Sequence, residues 1–138
     1  MITEDYCDFE TAKLLKEKGF SENTEHKIWY VIKQFSTGCH WNSCTYKVGD
    51  ITREYNDDCC IPMPTLQMAM KWLREKHNLF IQVNIVPHTT ITMEQKYYLF
   101  SIHKDRRRLR RDDVPINYYN TYEEAVEAAI KYCLENLI

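Results

Sequence analysis

Apolar positions recur along the chain with two periods, and the changes between them predict the order of its elements. In 8–18, Phe9, Ala12 and Leu15 fall at i, i+3 and i+6 with Leu14 beside them, the spacing of a short amphipathic helix. Gly19 then supplies a left-handed stop, and Phe20 can fold back on Leu15 as a Schellman end requires. Residues 27–35 are dense in β-branched and aromatic side chains and predict a strand. Residues 44–55 alternate more weakly and predict a second strand, or a hairpin broken at Gly49-Asp50.

Pro62 and Pro64 clear the chain of regular structure before Thr65, after which Leu66, Ala69, Met70 and Leu73 lie at i, i+3, i+4 and i+7. A helix over 65–77 follows, with Lys76 and His77 complementing its dipole and Asn78 as its left-handed stop. Leu79, Ile81, Val83 and Ile85 alternate with Phe80, Gln82, Asn84 and Val86 in a half-buried strand. In a second such strand, Tyr98, Phe100 and Ile102 share one face and Leu99, Ser101 and His103 the other, with a hairpin loop between Pro87 and Gln95. Thr121 and Glu124 form a capping box in which Glu124 is expected to reach back to the Thr121 amide. Tyr122, Val126, Ala129, Ile130, Cys133 and Leu137 then make one stripe, flanked by a Glu127–Lys131 pair at i, i+4. The expectation is a two-layer α+β fold, helices packed on an antiparallel or mixed sheet, in the order α-β-β-α-β-β-α.

Composition narrows what such a fold can do. With 138 residues, 44% of them hydrophobic and 13% aromatic, the chain reads as a single globular domain over 1–138. Only 3 glycines are present, at Gly19, Gly38 and Gly49, so neither GxGxxG nor GxxxxGK[ST] can be written and nucleotide cradles built on glycine are excluded. The first eight residues carry acids and no apolar run, so no export signal is expected, and no stretch reaches the length of a membrane span. The 6 cysteines therefore read as reduced thiols of a cytoplasmic protein. A net charge of -2 gives the whole molecule no attraction for polyanions.

Three words of the sequence, Pro64-Thr65-Leu66-Gln67, Lys71-Trp72-Leu73-Arg74-Glu75-Lys76-His77-Asn78 and Tyr119-Asn120-Thr121-Tyr122-Glu123-Glu124-Ala125, resemble a family of short uncharacterised proteins. That family is encoded in prophages and mobile elements of Bacteroides-type gut bacteria, and the resemblance covers 9–20 and 64–138. It implies a provenance and a fold module. The family has no assigned activity, so the resemblance supplies no catalytic residue.

Local charge is less even than the total. Lys104, Arg106, Arg107, Arg108, Arg110 and Arg111, with Asp105 as the one acid in 104–111, give a local charge of +5 and leave -7 on the other 130 residues. Arginine forks match phosphate oxygens, and Tyr97, Tyr98, Tyr118 and Tyr119 flank the run as stacking platforms, so nucleic acid is one reading. A solvated basic loop over 104–113, partly neutralised by Asp112 and Asp113, is the plainer one.

Cys39, His40, Cys44, Cys59 and Cys60 gather soft ligands, but neither CxxC nor HxxxH occurs, and no third group can be named to orient a Cys39-His40 nucleophile. Asp57-Asp58 lacks the alternation of a calcium loop and reads as a turn. Met68 and Trp72 make a second stripe beside the apolar face of their helix, which either widens the core or presents a protein-docking surface. No enzymatic signature and no cofactor site emerge. The expectation is an accessory protein that binds another macromolecule, a protein through Met68 and Trp72 or a bare sheet face. The alternatives are nucleic acid through the arginine run, and a metal or thiol site at Cys39, His40 and Cys44.

Overall fold

In the computed structural model, which describes residues 1–22, 27–31, 46–50, 60–86, 97–110, 114 and 117–138, each helix begins on a side-chain cap, of which the sequence pattern marks the one at Thr121. Helix α1 (Phe9–Glu17) starts at Asp8, whose Oδ1 accepts from the Thr11 amide at 2.7 Å. It ends in a Schellman motif: the Phe20 amide donates to the Leu15 carbonyl at 2.9 Å, that of Gly19 to Lys16 at 3.1 Å, and Gly19 holds φ 98°. Phe20 and Leu15 are both buried, as the pattern of the segment demands.

Strands β1 (Lys27–Val31), β2 (Tyr46–Asp50) and β3 (Cys60–Pro62) form an antiparallel sheet in the order β2-β1-β3. Gly49 pairs with Ile28 near the end of β2, and residues 51–55, which a hairpin turning there would use, lie outside the described residues. β3 is an addition to the expected order. Three residues ending at a proline carry no readable period, yet Ile61 is buried against Phe9 and Ala12 of α1 and fixes the segment there.

The N-terminal segment is pinned to the start of α2 (Leu66–His77) by two backbone bonds, Cys7 N–H to Pro64 C=O at 2.9 Å and Leu66 N–H to Asp5 C=O at 3.0 Å. Thr65 caps α2, accepting from the Met68 amide at 3.1 Å, and Asn78 stops it with φ 55° and ψ 35°. β4 (Leu79–Val86), β5 (Tyr97–Lys104) and β6 (Arg107–Arg108) make a second antiparallel sheet in that order, and α3 (Tyr122–Asn136) closes the described chain. The α+β class stands, with β3 and β6 added to the expected strands.

Beside the small Phe9, Ala12 and Ile61 cluster, one main core joins the helices to the second sheet. Leu79, Ile81 and Val83 of β4 and Phe100 and Ile102 of β5 pack under Leu66, Ala69, Met70 and Leu73 of α2 and Val126, Ala129, Ile130 and Cys133 of α3. The buried face of α3 includes Ala125 and Leu134, whereas Tyr122 is exposed and Leu137 half-buried, so the stripe is rotated from the one drawn through Tyr122 and Leu137. Alanines at 125 and 129 let the helix backbone approach the sheet, and that close approach selects the face. The capping box forms one residue early: Glu124 donates its amide to Thr121 Oγ1 at 3.1 Å, while its Oε2 accepts from Asn120 rather than Thr121. Glu127, expected to pair along the helix with Lys131, accepts instead from the Asp8 amide at 3.1 Å and ties α3 to the start of α1. No helix among the described residues is long and apolar enough to cross a membrane.

Candidate functional site

The β4–β5 register, from Leu79 opposite Lys104 to Val86 opposite Tyr97, sorts every side chain of the hairpin onto one of two faces. The face carrying Leu79, Ile81, Phe100 and Ile102 lies under the helices. The opposite, outer face carries Phe80, Gln82, Asn84 and Val86 from β4 and Tyr97, Leu99, Ser101 and His103 from β5, with Ser101 buried at its centre. Phe80 is 41% exposed there, a large apolar ring left in solvent at the end of the sheet.

The basic run, expected as a loop over 104–113, is a β-hairpin over 104–108. Lys104 ends β5, Asp105 and Arg106 turn the chain with φ 49° and 66°, and Arg107 and Arg108 return as β6. Positive φ at both central residues is what a type I′ turn needs, and Asp-Arg conceals it because the usual signature ends in glycine. Pairing places Arg107 opposite Lys104 and Arg108 opposite His103, so Phe80, His103 and Arg108 form one row across the three strands on the outer face. The Leu109 amide donates to the Ile102 carbonyl at 2.8 Å and the Leu109 side chain packs on the core, anchoring the return strand.

Positive charge is concentrated at this corner. Lys104 and Arg107 are like charges directly across a strand pair, an unfavourable placement in the free protein. Arg106, Arg107, Arg108 and Arg110 are exposed, and none pairs with a carboxylate among the described residues. His77 at the end of α2 lies nearby: burial first, and then the Lys104 ammonium, lower its pKa from the ordinary value. Asp105 is held by Asn78, whose Nδ2 donates to its Oδ1 at 2.7 Å. Asn78, Asp105 and Arg106 are the non-glycine residues with positive φ among those described, and all three sit here. Backbone strain of this kind gathers where a structure holds side chains for a task.

The four flanking tyrosines divide by face. Tyr98 and Tyr119 exchange backbone hydrogen bonds at 2.8 and 2.9 Å, and Tyr119 stacks on Phe100 at 6.0 Å on the helix side. Tyr97 and Tyr118 meet edge-to-face at 6.2 Å on the outer side, where Tyr118 is 62% exposed. The outer face thus carries an exposed aromatic group at each end and arginine along one edge.

The other candidates fare differently. Trp72 is only 6% exposed and packs edge-on against Phe20 and His77, so the Met68–Trp72 stripe widens the core and does not present a tryptophan for docking. Met68 is half-buried against the same core and borders a pocket of about 370 Å³ with Tyr6, Lys71 and Arg74. Cys39, His40, Cys44 and Arg111 lie outside the described residues. Among those described, no group of three or more His, Cys, Asp or Glu side chains is arranged to hold a metal ion. Cys133 is core, its thiol pushed up to about 12 by burial, and burial likewise raises that of Cys7.

Sequence reasoning passed over Phe80, His103 and the Asn78–Asp105 contact. The alternation of 79–86 separates Phe80 from Leu79 and Ile81, but only the register shows that it shares a row with Arg108. Comparison of the chain with protein-family models, with curated proteins and with solved structures finds no match in any of the three.

Proposed function

We propose that this chain is a cytoplasmic, non-catalytic accessory protein of a phage or mobile element that binds single-stranded nucleic acid on the outer face of the β4-β5-β6 sheet. One observation carries the reading: exposed Phe80 and Tyr118 share that face with Arg108, beside a hairpin whose Arg106 and Arg107 are turned to solvent. Unpaired bases stack on aromatic rings irrespective of sequence, while arginine forks take the phosphates between them. A duplex hides its base faces and would use only the arginines. The burial of Trp72 removes the side chain on which protein docking chiefly rested, which moves the preference from a protein partner to nucleic acid. The provenance rests on the sequence words around Lys71-Trp72-Leu73 and Tyr122-Glu123-Glu124, and the cytoplasmic assignment on cysteine usage.

Fluorescence anisotropy with labelled single-stranded DNA, single-stranded RNA and duplex of equal length, at two salt concentrations, is the test. Single strands should bind more tightly than duplex, with a log-log salt slope of about -3 if four arginines meet phosphates. Replacing Arg106, Arg107 and Arg108 together by Ala should abolish most of the binding. Absence of binding at low salt, or binding indifferent to that replacement, overturns the reading.

A further inference from the structure

A shallow groove of about 500 Å³ lies where the N-terminal segment, the start of α2 and the first half of α3 meet. Its floor is apolar, made by Tyr6, Leu66, Tyr119 and Ala128. Its rim carries Asp5, Asp8, Glu123, Glu124 and Glu127, against which Lys131 is the one cation among the lining residues. Asp8, Glu124 and Glu127 are engaged in bonds that cap or join helices, whereas Asp5 and Glu123 make no side-chain contact with a cation among the described residues.

The groove and the arginine hairpin occupy opposite poles. Helix α2 runs from Leu66 in the groove to His77 beside the hairpin, about 18 Å at 1.5 Å per residue. β5 runs the same way, from Tyr98, which pairs with the groove residue Tyr119, to Lys104 at the hairpin, about 20 Å along the strand. The hairpin therefore cannot reach the groove of its own chain. It can reach that of another.

We propose that the acidic-rimmed groove receives the Arg106–Arg107 hairpin tip of a second copy of this chain. Charge complementarity selects this occupant: the groove offers an apolar floor and an anionic rim, and the tip offers exposed guanidinium groups whose methylene stems can lie on Leu66, Tyr119 and Ala128. Donor and acceptor surfaces differ, so the contact is heterologous, and copies add head to tail. The contact joins a two-residue hairpin tip to a shallow groove and rests largely on charge, so the assembly is weak and salt-sensitive. This inference goes beyond the nucleic-acid reading and does not require it, because its test contains no nucleic acid.

Sedimentation velocity on the full chain, freed of nucleic acid, tests the contact with two complementary variants. Arg106→Ala/Arg107→Ala removes the tip and keeps the groove, whereas Asp5→Asn/Glu123→Gln neutralises the groove and keeps the tip. At low salt the parent chain should gain mass with concentration, and at about 1 M salt, where charges are screened within about 3 Å, it should return to the monomer. Each variant alone should remain monomeric, and an equimolar mixture should form a 1:1 dimer that grows no further, since each partner lacks one surface. Both variants are surface changes, and circular dichroism checks that they fold. A parent that stays monomeric at low salt overturns the proposal, as does association that persists in either variant or a mixture that fails to pair.

Discussion

Asn78 and Asp105 join the end of α2 to the tip of the β5–β6 hairpin through a 2.7 Å hydrogen bond, and both hold the left-handed backbone that non-glycine residues rarely adopt. A residue chosen for conformation alone would be glycine at such positions. Asparagine and aspartate give up some of that ease and gain a side-chain tether that fixes where the arginines stand.

Arg106 is the costliest member of this corner, because a long side chain at φ 66° gains nothing from the local hydrogen bonding open to Asn or Asp. Replacing it with glycine produces Asp-Gly, the preferred type I′ pair, and should stabilise the fold by about 1 kcal/mol. The same change should weaken nucleic-acid binding. Urea unfolding and anisotropy on one protein preparation check both signs, and a variant that loses stability would show that the turn does not strain Arg106.

Trp72 supports the fold from within. Trp72→Ala removes a ring that packs on Phe20 at 5.7 Å and on His77 at 4.6 Å, and should cost about 3–5 kcal/mol. That is a large share of the total stability of a small domain, so the variant should melt far below the parent or fail to fold. A Trp72→Ala protein with an unchanged melting temperature would return the residue to the surface.

The Asp8–Glu127 contact makes stability depend on pH in both directions. Burial, and then the neighbouring Asp8 carboxylate, raise Glu127 above its ordinary value of 4.5. Burial also opposes ionisation of Asp8, but the Thr11 amide and the Lys131 charge outweigh it and leave Asp8 below its ordinary 3.8. A raised acid holds its proton more tightly folded than unfolded, so its contribution is intact below 4.5 and is lost as pH rises through the folded value. A lowered acid contributes above 3.8 and loses that contribution as pH falls through its folded value. Stability should therefore decline on both sides of a mildly acid maximum. Glu127→Gln keeps an acceptor for the Asp8 amide and removes the charge, so the alkaline decline should flatten and the variant should exceed the parent at pH 8. Thermal melts from pH 3 to 8 check this, and a variant weaker than the parent by the same amount at every pH would refute it.

How far the fold could be read follows from which forces are local. The cap at Thr121 and the stops at Gly19 and Asn78 are written within four residues of where they act, and all form. The alternation of 79–86 and 98–103 likewise fixes two strands and their faces. What failed was set by contacts distant in sequence. β3 exists because Ile61 finds α1, and Glu127 turns to Asp8 across 119 residues. The arginine run was legible as charge, but its hairpin was hidden by a turn without glycine, and the row that joins it to Phe80 needs the register of three strands.

That row separates two contributions to binding that composition alone runs together. Stacking on an exposed ring is an apolar contact, so Tyr118→Ala or Phe80→Ala should weaken binding by about 1–3 kcal/mol while leaving the salt slope unchanged. Removing one arginine, as in Arg108→Ala, releases one fewer counterion and should reduce the slope by about 0.7. Tyr119→Ala offers a contrast: its ring stacks on Phe100 beneath the sheet, so the change should lower stability without acting on stacked bases. Anisotropy titrations of these variants at three salt concentrations, beside their melting temperatures, resolve the contributions. Equal loss from Tyr118→Ala and Tyr119→Ala, or a slope that moves with the aromatic change, would place the bound strand elsewhere than on the outer face.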